Sequence, residues 1–478
     1  MTDEFDVVVI AAGPAGEVAA GRLGEAGLSV AIVEEHLVGG ECSYYACMPS
    51  KALLRPGELL AEVGRVPGAR EAVTGRLDVE AVLARRDEVI HDLDDSVQLP
   101  WLEQRNVTLV RGRGRLEGER LVRVGERLLE AREAVIVATG SGAAIPPIPG
   151  LRESAHWTNR EATTAKTVPV RLVILGGGVV GVEMAQAWSS LGSQVTLIEM
   201  LPRLLPREEP FASAQVAEAL RERGVDVRTG ARAAAVRREG GEVVVTLEDG
   251  EDVRGDELPV AVGRRPLTGD VGLEMVGLEP GRFIEVDDSM RAIGFDWLYA
   301  IGDVNGRVLL THMGKYQARV AAEQILGRDV RVRDAAHGAL SPRVVFSDPQ
   351  VAAVGHTLES AEQAGLHVRA IDQPTSGNAG GSFYGRNAAG TARLVIDDDS
   401  GIVVGATFTG ADIAEFVHAA TIAIVGQVTI DELWHAVPSF PTRSEVWLRL
   451  LEAYEAAVSE REPRAPAQPR SAPLARTR

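Results

Sequence analysis

Short apolar runs that end in glycine-rich turns recur along the first two thirds of the chain. Val7-Val8-Val9-Ile10 leads into Ala11-Ala12-Gly13-Pro14-Ala15-Gly16, then a small-residue stretch, then Val30-Ala31-Ile32-Val33-Glu34. Leu172-Val173-Ile174-Leu175 leads into Gly176-Gly177-Gly178-Val179-Val180-Gly181 and, after a second helical stretch, Val195-Thr196-Leu197-Ile198-Glu199. Apolar runs of this length bounded by turn residues predict strands. In both segments the closing glutamate stands 23 residues beyond the first position of the glycine motif. One such motif is a weak signal; strand, turn, helix, strand and acid repeated at equal spacing is a strong one.

Three further strand-then-glycine segments fit the same architecture: Val135 to Thr139-Gly140, Val260 to Gly263, and Leu298 to Gly302-Asp303. From about residue 343 the pattern changes. β-branched stretches, Ala392 to Ile396 and Ile402 to Phe408, alternate with helical ones such as Ile413 to Val425, which predicts a separate α+β domain. Arg461 to Arg478 is rich in Pro, Ala and Arg with little to bury and reads as a disordered tail.

Each part of the repeated segment has a physical reason. Glycines let the backbone turn tightly and approach a pyrophosphate at the positive end of a helix, and the glutamate binds a ribose diol. The chain is therefore expected to be α/β, with two Rossmann-like dinucleotide-binding domains and a C-terminal α+β domain. Ala11 stands where the first motif is expected to have glycine, adding a Cβ at the tight turn.

Composition narrows the partners. At 478 residues the length suggests about three domains, and 45% apolar residues is ordinary for a globular chain. A formal charge of -18 argues against nucleic acid, which selects basic surfaces. No apolar run approaches the ~18 residues of a membrane span. The acidic start, Met1 to Asp6, runs straight into a strand without a basic leader, so a cytoplasmic location is expected. Only Lys51, Lys166 and Lys315 are lysines among 50 basic residues, which gives Lys51 special interest beside the motif considered next.

The only two cysteines, Cys42 and Cys47, sit five apart in Gly39-Gly40-Glu41-Cys42-Ser43-Tyr44-Tyr45-Ala46-Cys47-Met48-Pro49-Ser50-Lys51. A regular helix places such a pair roughly 8 to 9 Å apart at Cα. A disulfide needs roughly 4.4 to 6.8 Å. The pair closes only where a helix begins or is distorted, and Gly39-Gly40 and Pro49 supply that irregularity. A cysteine near a helix N-terminus also has its thiolate stabilised, so the pair reads as a redox disulfide. The alternatives are unrelated thiols, half of a metal site, or a structural staple. Two thiols do not complete a zinc set, and so small a loop constrains the unfolded chain little.

With these motifs together, the chain resembles, over about residues 5 to 458, the FAD-dependent pyridine nucleotide-disulfide oxidoreductases, which include dihydrolipoamide dehydrogenase and glutathione, mycothione and mercuric reductases. The resemblance implies FAD at Gly13, Ala15, Gly16, Glu34, Gly40, Lys51, Thr139, Gly140, Gly302 and Asp303, with Glu34 on the adenosine ribose and Asp303 near the ribityl chain. NAD(P)H would take Gly176, Gly178, Gly181, Glu199 and Gly263. Glu199 favours NADH, because a carboxylate there repels the extra phosphate of NADPH, while nearby Arg203 keeps NADPH open. Lys51 and Glu183 would form an ion pair beside the flavin, against the plainer reading of Glu183 as an exposed first-turn acid. Phe346 to Pro349 and Gly410 to Glu415 resemble the dimerisation domain, implying a homodimer whose partner chain completes the active site. The implied domains are 1-150 and 271-342 for FAD, 151-270 for NAD(P), 343-458 for dimerisation, and a tail over 459-478.

The chain departs from the family near its end. Dithiol-handling members carry His-Pro-Thr-x-Ser-Glu where this chain has Phe440-Pro441-Thr442-Arg443-Ser444-Glu445. Phenylalanine moves no proton, and general acid-base help is typically worth ~10²- to 10⁴-fold. His435 and His418 are conceivable substitutes but read better as surface or packed residues; Glu445 would orient the missing base. Tyr44-Tyr45-Ala46 is also bulkier than the usual inter-cysteine Asn-x-Gly. Three readings follow: reduction of a small acceptor by NAD(P)H through FAD and Cys42-Cys47, dihydrolipoamide dehydrogenase with a displaced base, or a non-enzymatic FAD-binding subunit. With no second cysteine pair and no N-terminal metal-binding module, mercury is a poor acceptor.

Overall fold

The structure is a computed structural model that describes residues 2–333, 338–385, 388 and 390–459. Strand Thr2–Ile10 lies at the centre of the first sheet, parallel to Val30–Glu34 on one side and Arg127–Val137 on the other. Val107–Arg111 and Leu298–Ala300 extend it in parallel at the two flanks. Val7, Val8 and Val9 are completely buried, as expected of a parallel sheet covered on both faces. The distant strand Leu298–Ala300 returns to this sheet, which carries Gly302 and Asp303 back to the first glycine turn. An antiparallel meander, Gly114–Gly118 with Leu121–Val124 and the start of Arg127–Val137, completes the unit.

The same plan recurs. Arg171–Leu175, Gln194–Glu199 and Asp226–Thr229 form a parallel sheet, followed by the meander Ala233–Glu239, Glu242–Leu247 and Asp252–Gly255. The bridges Leu172 to Glu257 and Leu175 to Val260 add a parallel position beside Arg171–Leu175. A short antiparallel pairing of Ser141–Ala143 with Arg264–Pro266 joins the chain segments that pass between the two units.

The last unit is a five-stranded antiparallel sheet in the order Arg343–Val345, Gln350–Gly355, Ile402–Gly410, Thr391–Asp397, Val368–Pro374. Its buried face packs residues of Phe416–Gly426 and Glu445–Ser459 around Phe408. The helix expected from Ile413 starts at Phe416 instead. The stretch from Ile413 closes by i to i−3 bonds, Phe416 N donating to Ile413 O at 3.0 Å, instead of the i to i−4 bonds of an α-helix, and the amides of Ile413 and Ala414 donate to Gln350 Oε1, each at 2.9 Å. Among the described residues no helix is long and apolar enough to cross a membrane. The expected tail over 461 to 478 lies outside the described residues.

Candidate active site

The two glycine turns have equivalent geometry. Glu34 accepts from the amides of Ala12 and His36, each at 2.7 Å. Glu199 accepts from the amides of Gly177 at 2.5 Å and Leu201 at 2.7 Å. Each carboxylate therefore closes its turn and stays buried at the end of the second strand. Burial pushes the Glu34 carboxyl above its ordinary value, against the lowering effect of the two amides. A Cβ on Gly16 would lie 2.1 Å from Ala11 O, and one on Gly181 would lie 1.8 Å from Gly176 O. These helices can approach their turns only as glycine. Ala11 has φ 80° and Gly176 φ 106°, so the alanine occupies a left-handed position that disfavours its Cβ.

The residues present fit FAD at the first turn. Gly13 caps the helix Pro14–Glu25, and nothing lies within 4 Å of where its Cβ would be, leaving the helix N-terminus open to a pyrophosphate. Gly40 crosses close by: its Cβ would fall 2.8 Å from Gly13 Cα. Ala15, Gly302 and Gly314 meet nearby, with Ala15 Cβ 3.3 Å from the place a Cβ would take on either glycine. The Thr139 hydroxyl is buried with no partner among the described residues, a spare donor for a bound group. Asp303 accepts from Ser141 Oγ at 2.5 Å, lies 3.6 Å from Arg264 Nε, and has its carboxyl pushed up by burial. At the second turn, Gly178 caps Val179–Ser190 and is equally open. Gly140 and Gly263 precede the two joined strands, with Leu267 N bonding Gly140 O and Ala144 N bonding Gly263 O. Arg203 donates to Glu208 O at 2.6 Å, Ser213 Oγ at 3.0 Å and Pro206 O at 2.8 Å, so its guanidinium is committed to the local loop.

The cysteines straddle a helix break. Cys42 lies in Gly40–Tyr44, while Cys47 opens Cys47–Arg65; Tyr45 and Ala46 lie between. Both are free thiols, and each thiol's ionisation is set chiefly by the other. The neighbouring Cys42 is the largest influence pulling the Cys47 thiol down to about 6, with help from Thr311 and Lys51 against burial. Cys42 is pushed up by the same contact and by burial. Thr311 Oγ1 stands 3.3 Å from Cys47 Sγ, at the start of the helix Thr311–Ile325.

One turn along from Cys47, Lys51 Nζ donates to Glu183 Oε2 at 2.8 Å. Glu183 is 3% exposed, which overturns the reading of an exposed first-turn acid. The helices Cys47–Arg65 and Val179–Ser190 meet closely at Gly57, whose Cβ would fall 2.9 Å from Ser190, and this crossing turns Glu183 inward. Phe346 closes the pair from the third unit: its amide donates to Glu183 Oε1 at 3.0 Å and its ring lies 4.6 Å from Lys51 Nζ.

Glu445 is not part of this cluster within the chain. It is buried, its Oε2 has no partner among the described residues, and it makes no hydrogen bond or ion pair with Cys42, Cys47, Lys51 or Glu183. Phe440 is 76% exposed, and His418 and His435 are exposed as well. Thr311, Phe346 as a lid on the ion pair, and the polar group around Asn159 carry no local sequence signal. Each reaches the site from a distant part of the chain.

Comparison with known proteins agrees with this geometry. Residues 5–324 match the family described as pyridine nucleotide-disulphide oxidoreductase, and residues 341–450 match its dimerisation domain. A dihydrolipoyl dehydrogenase of Haloferax volcanii is 33% identical over 471 residues, covering 95% of this chain and 96% of that protein. A mercuric reductase of Staphylococcus aureus is 28% identical over 448 residues, covering 92% of this chain and 81% of that protein. A solved Cu(II) complex of the HOCl-induced flavoprotein disulfide reductase RclA from Escherichia coli shares the fold with a TM-score of 0.83 at 24% identity, covering 94% of this chain and 99% of that one.

Proposed function

The chain belongs to the pyridine nucleotide-disulphide oxidoreductases, enzymes that bind FAD and NAD(P)H, and from that premise we propose that it carries electrons from NADH to Cys42-Cys47 and on to a small-molecule acceptor needing no histidine base. The observation that carries this reading is the placement of the pair. Cys42 and Cys47 straddle a helix break, with Cys47 beside Thr311 Oγ1 at 3.3 Å and one turn from the Lys51-Glu183 ion pair.

Bound FAD supplies acceptance of hydride from the nicotinamide and delivery of two electrons to a disulfide. Glu34 and the open helix end at Gly13 would hold its ADP half, with Thr139, Gly302 and Asp303 toward the ribityl chain. Glu199 and Gly178 would hold the nicotinamide cofactor, and Arg203 is committed to its own loop rather than to an extra phosphate, which supports NADH. Two electrons break the S–S bond. Cys47 retains its sulfur as thiolate beside Lys51 and Thr311, while Cys42 takes the proton and is the outer thiol on the acceptor side. Lys51 keeps positive charge near Cys47, and Glu183 fixes the orientation of Lys51.

The acceptor side rests on Phe440. Without a proton carrier at that place, acceptors that take electrons first and their protons from solvent afterwards, such as quinones, are favoured over disulfides such as lipoamide, whose exchange with the protein thiols needs a proton moved at the site. The similarity to dihydrolipoyl dehydrogenases supports a second reading, lipoamide turnover with a displaced base. A homodimer is supported by the dimerisation domain and by exposed Val437 and Phe440, apolar side chains that a second copy would cover.

Anaerobic reduction by NADH, followed spectroscopically, tests the reading. Long-wavelength thiolate-flavin absorbance that is lost in Cys47→Ser is expected; simple bleaching in both proteins overturns it. Steady-state rates with lipoamide and with quinones then separate the two acceptor classes.

A further inference from the structure

We propose that Asn159 and Arg160 are positioning residues for the dithiol, latching the chain on both sides of Cys42 and so setting how readily Cys42 and Cys47 close to a disulfide. The inference rests on the redox reading of that pair and adds a control on it from a helix, Asn159–Thr164, more than a hundred residues away in sequence.

The latch has two points of attachment. Ahead of Cys42, Glu41 accepts from Arg160 Nε at 2.5 Å and from Asn159 Nδ2 at 2.7 Å. Behind it, Tyr45 O accepts from Asn159 Nδ2 at 2.9 Å and Thr163 Oγ1 at 3.0 Å. The Arg160 guanidinium also lies over the Tyr45 ring, 4.7 Å from its centroid. Asn159 and Thr163 are buried, so their contacts are the ones shielded from competing water, while the Arg160 side chain is 44% exposed. One amide group, Asn159 Nδ2, thus bridges the residue before Cys42 to the carbonyl three residues after it.

The bulky inter-cysteine segment acquires a purpose here, since the Tyr45 ring gives Arg160 a surface to stack on. An open dithiol loop has backbone freedom to lose on closing, whereas a disulfide ring has little. A restraint that removes freedom from the open form therefore favours the closed one, because only a differential effect on the two forms moves the equilibrium. Closure itself joins the Cys42 and Cys47 sulfurs, releases the Cys42 proton, and gives two electrons to an oxidant, in the test a small-molecule disulfide.

The test equilibrates the FAD-loaded full chain anaerobically in mixtures of reduced and oxidised dithiothreitol and counts free thiols by alkylation and mass spectrometry. Asn159→Ala/Arg160→Ala is expected to shift the pair about tenfold toward dithiol, equal to about 30 mV for two electrons. Arg160→Lys, which keeps a cation beside Glu41, is expected to shift it less. FAD content per chain serves as the measure of intact folding. Should the double variant lose FAD, Thr163→Val removes one donor from Tyr45 O at nearly constant volume and is expected to shift the equilibrium in the same direction. A change below twofold in the FAD-loaded variant overturns the latch, as does a shift toward disulfide. Because the dithiothreitol equilibrium does not pass through NADH, failure of NADH to reduce the wild-type pair overturns the functional reading and leaves the latch result readable.

Discussion

Glu183 accepts from Lys51 Nζ through one carboxylate oxygen and from the Phe346 amide through the other, so a single buried side chain joins the cysteine helix, the second glycine-motif helix and the start of the third sheet. The Lys51 side chain is 35% exposed against 4% for Glu183, and the charge that suffers from losing its partner is the buried carboxylate.

Lys51→Met should therefore lower stability by about 1 to 3 kcal/mol, the range for leaving a buried polar group without its partner. It should also raise the Cys47 pKa, because Lys51 holds that thiol down while Glu183 opposes it. Glu183→Gln should move the thiol the other way. Urea unfolding checks the first effect, and the pH dependence of alkylation of the reduced protein checks the other two; movement of the two variants in the same direction would defeat the electrostatic account.

The pH profile of the pair itself follows from the direction of each shift. Cys47 lies at about 6, below its ordinary value, so its thiolate is present above that pH and is lost as pH falls through it. In the reduced protein, alkylation at Cys47 should titrate with a midpoint near 6, while Cys42, pushed up, should react slowly through neutral pH. Cys42→Ala removes the largest contribution and should move the midpoint up, whereas Cys42→Ser keeps a donor and should move it less. Equal midpoints in the two variants would show that the hydrogen bond is not the cause.

The parts of this site that follow one another along the chain were legible in sequence. Glu34 and Glu199 close their turns because strand, turn, helix and strand fix the spacing locally. The cysteine pair required a distorted helix start, and the break at Tyr45 and Ala46 provides it. Glu183 was ambiguous because its helix face is chosen by the crossing at Gly57 and Ser190, which no local pattern encodes. Thr311 meets Cys47 across 264 residues, and Asn159 meets Tyr45 across 114; such partners emerge only when sheets assemble.

The two glycine turns should separate the two cofactors. Gly181→Ala places a Cβ against Gly176 O, and the turn must open. Loss of NADH binding with FAD retained is the expected outcome, read by calorimetry and by the absorbance of bound flavin. Ala11→Gly relieves a left-handed alanine, φ 80°, and should stabilise the chain by about 0.5 to 1 kcal/mol, the strain relief exceeding the added freedom of the unfolded chain. A destabilised Ala11→Gly protein would mean that the Cβ makes contacts worth more than its strain.

Phe440→His tests whether the missing base selects the acceptor. Phe440 is 76% exposed, so a smaller polar ring replaces it without opening a cavity, and stability should change little. Five residues on in the same chain, Glu445 is buried with Oε2 unpartnered among the described residues, an acceptor that can orient an imidazole at position 440, and a second copy would bring its cysteine pair to that imidazole. An imidazole titrates near neutral pH and moves the proton that phenylalanine cannot. The lipoamide rate should rise by about 10²-fold or more, the lower range for general acid-base help, and gain a pH dependence near 6.5. Quinone reduction, which leans less on that proton, should change far less. In Phe440→His/Glu445→Gln the gain should shrink while FAD content stays constant, because the imidazole loses its orienting carboxylate. An unchanged lipoamide rate in Phe440→His would remove Phe440 as the reason for acceptor choice and shift attention to the residues around Cys42.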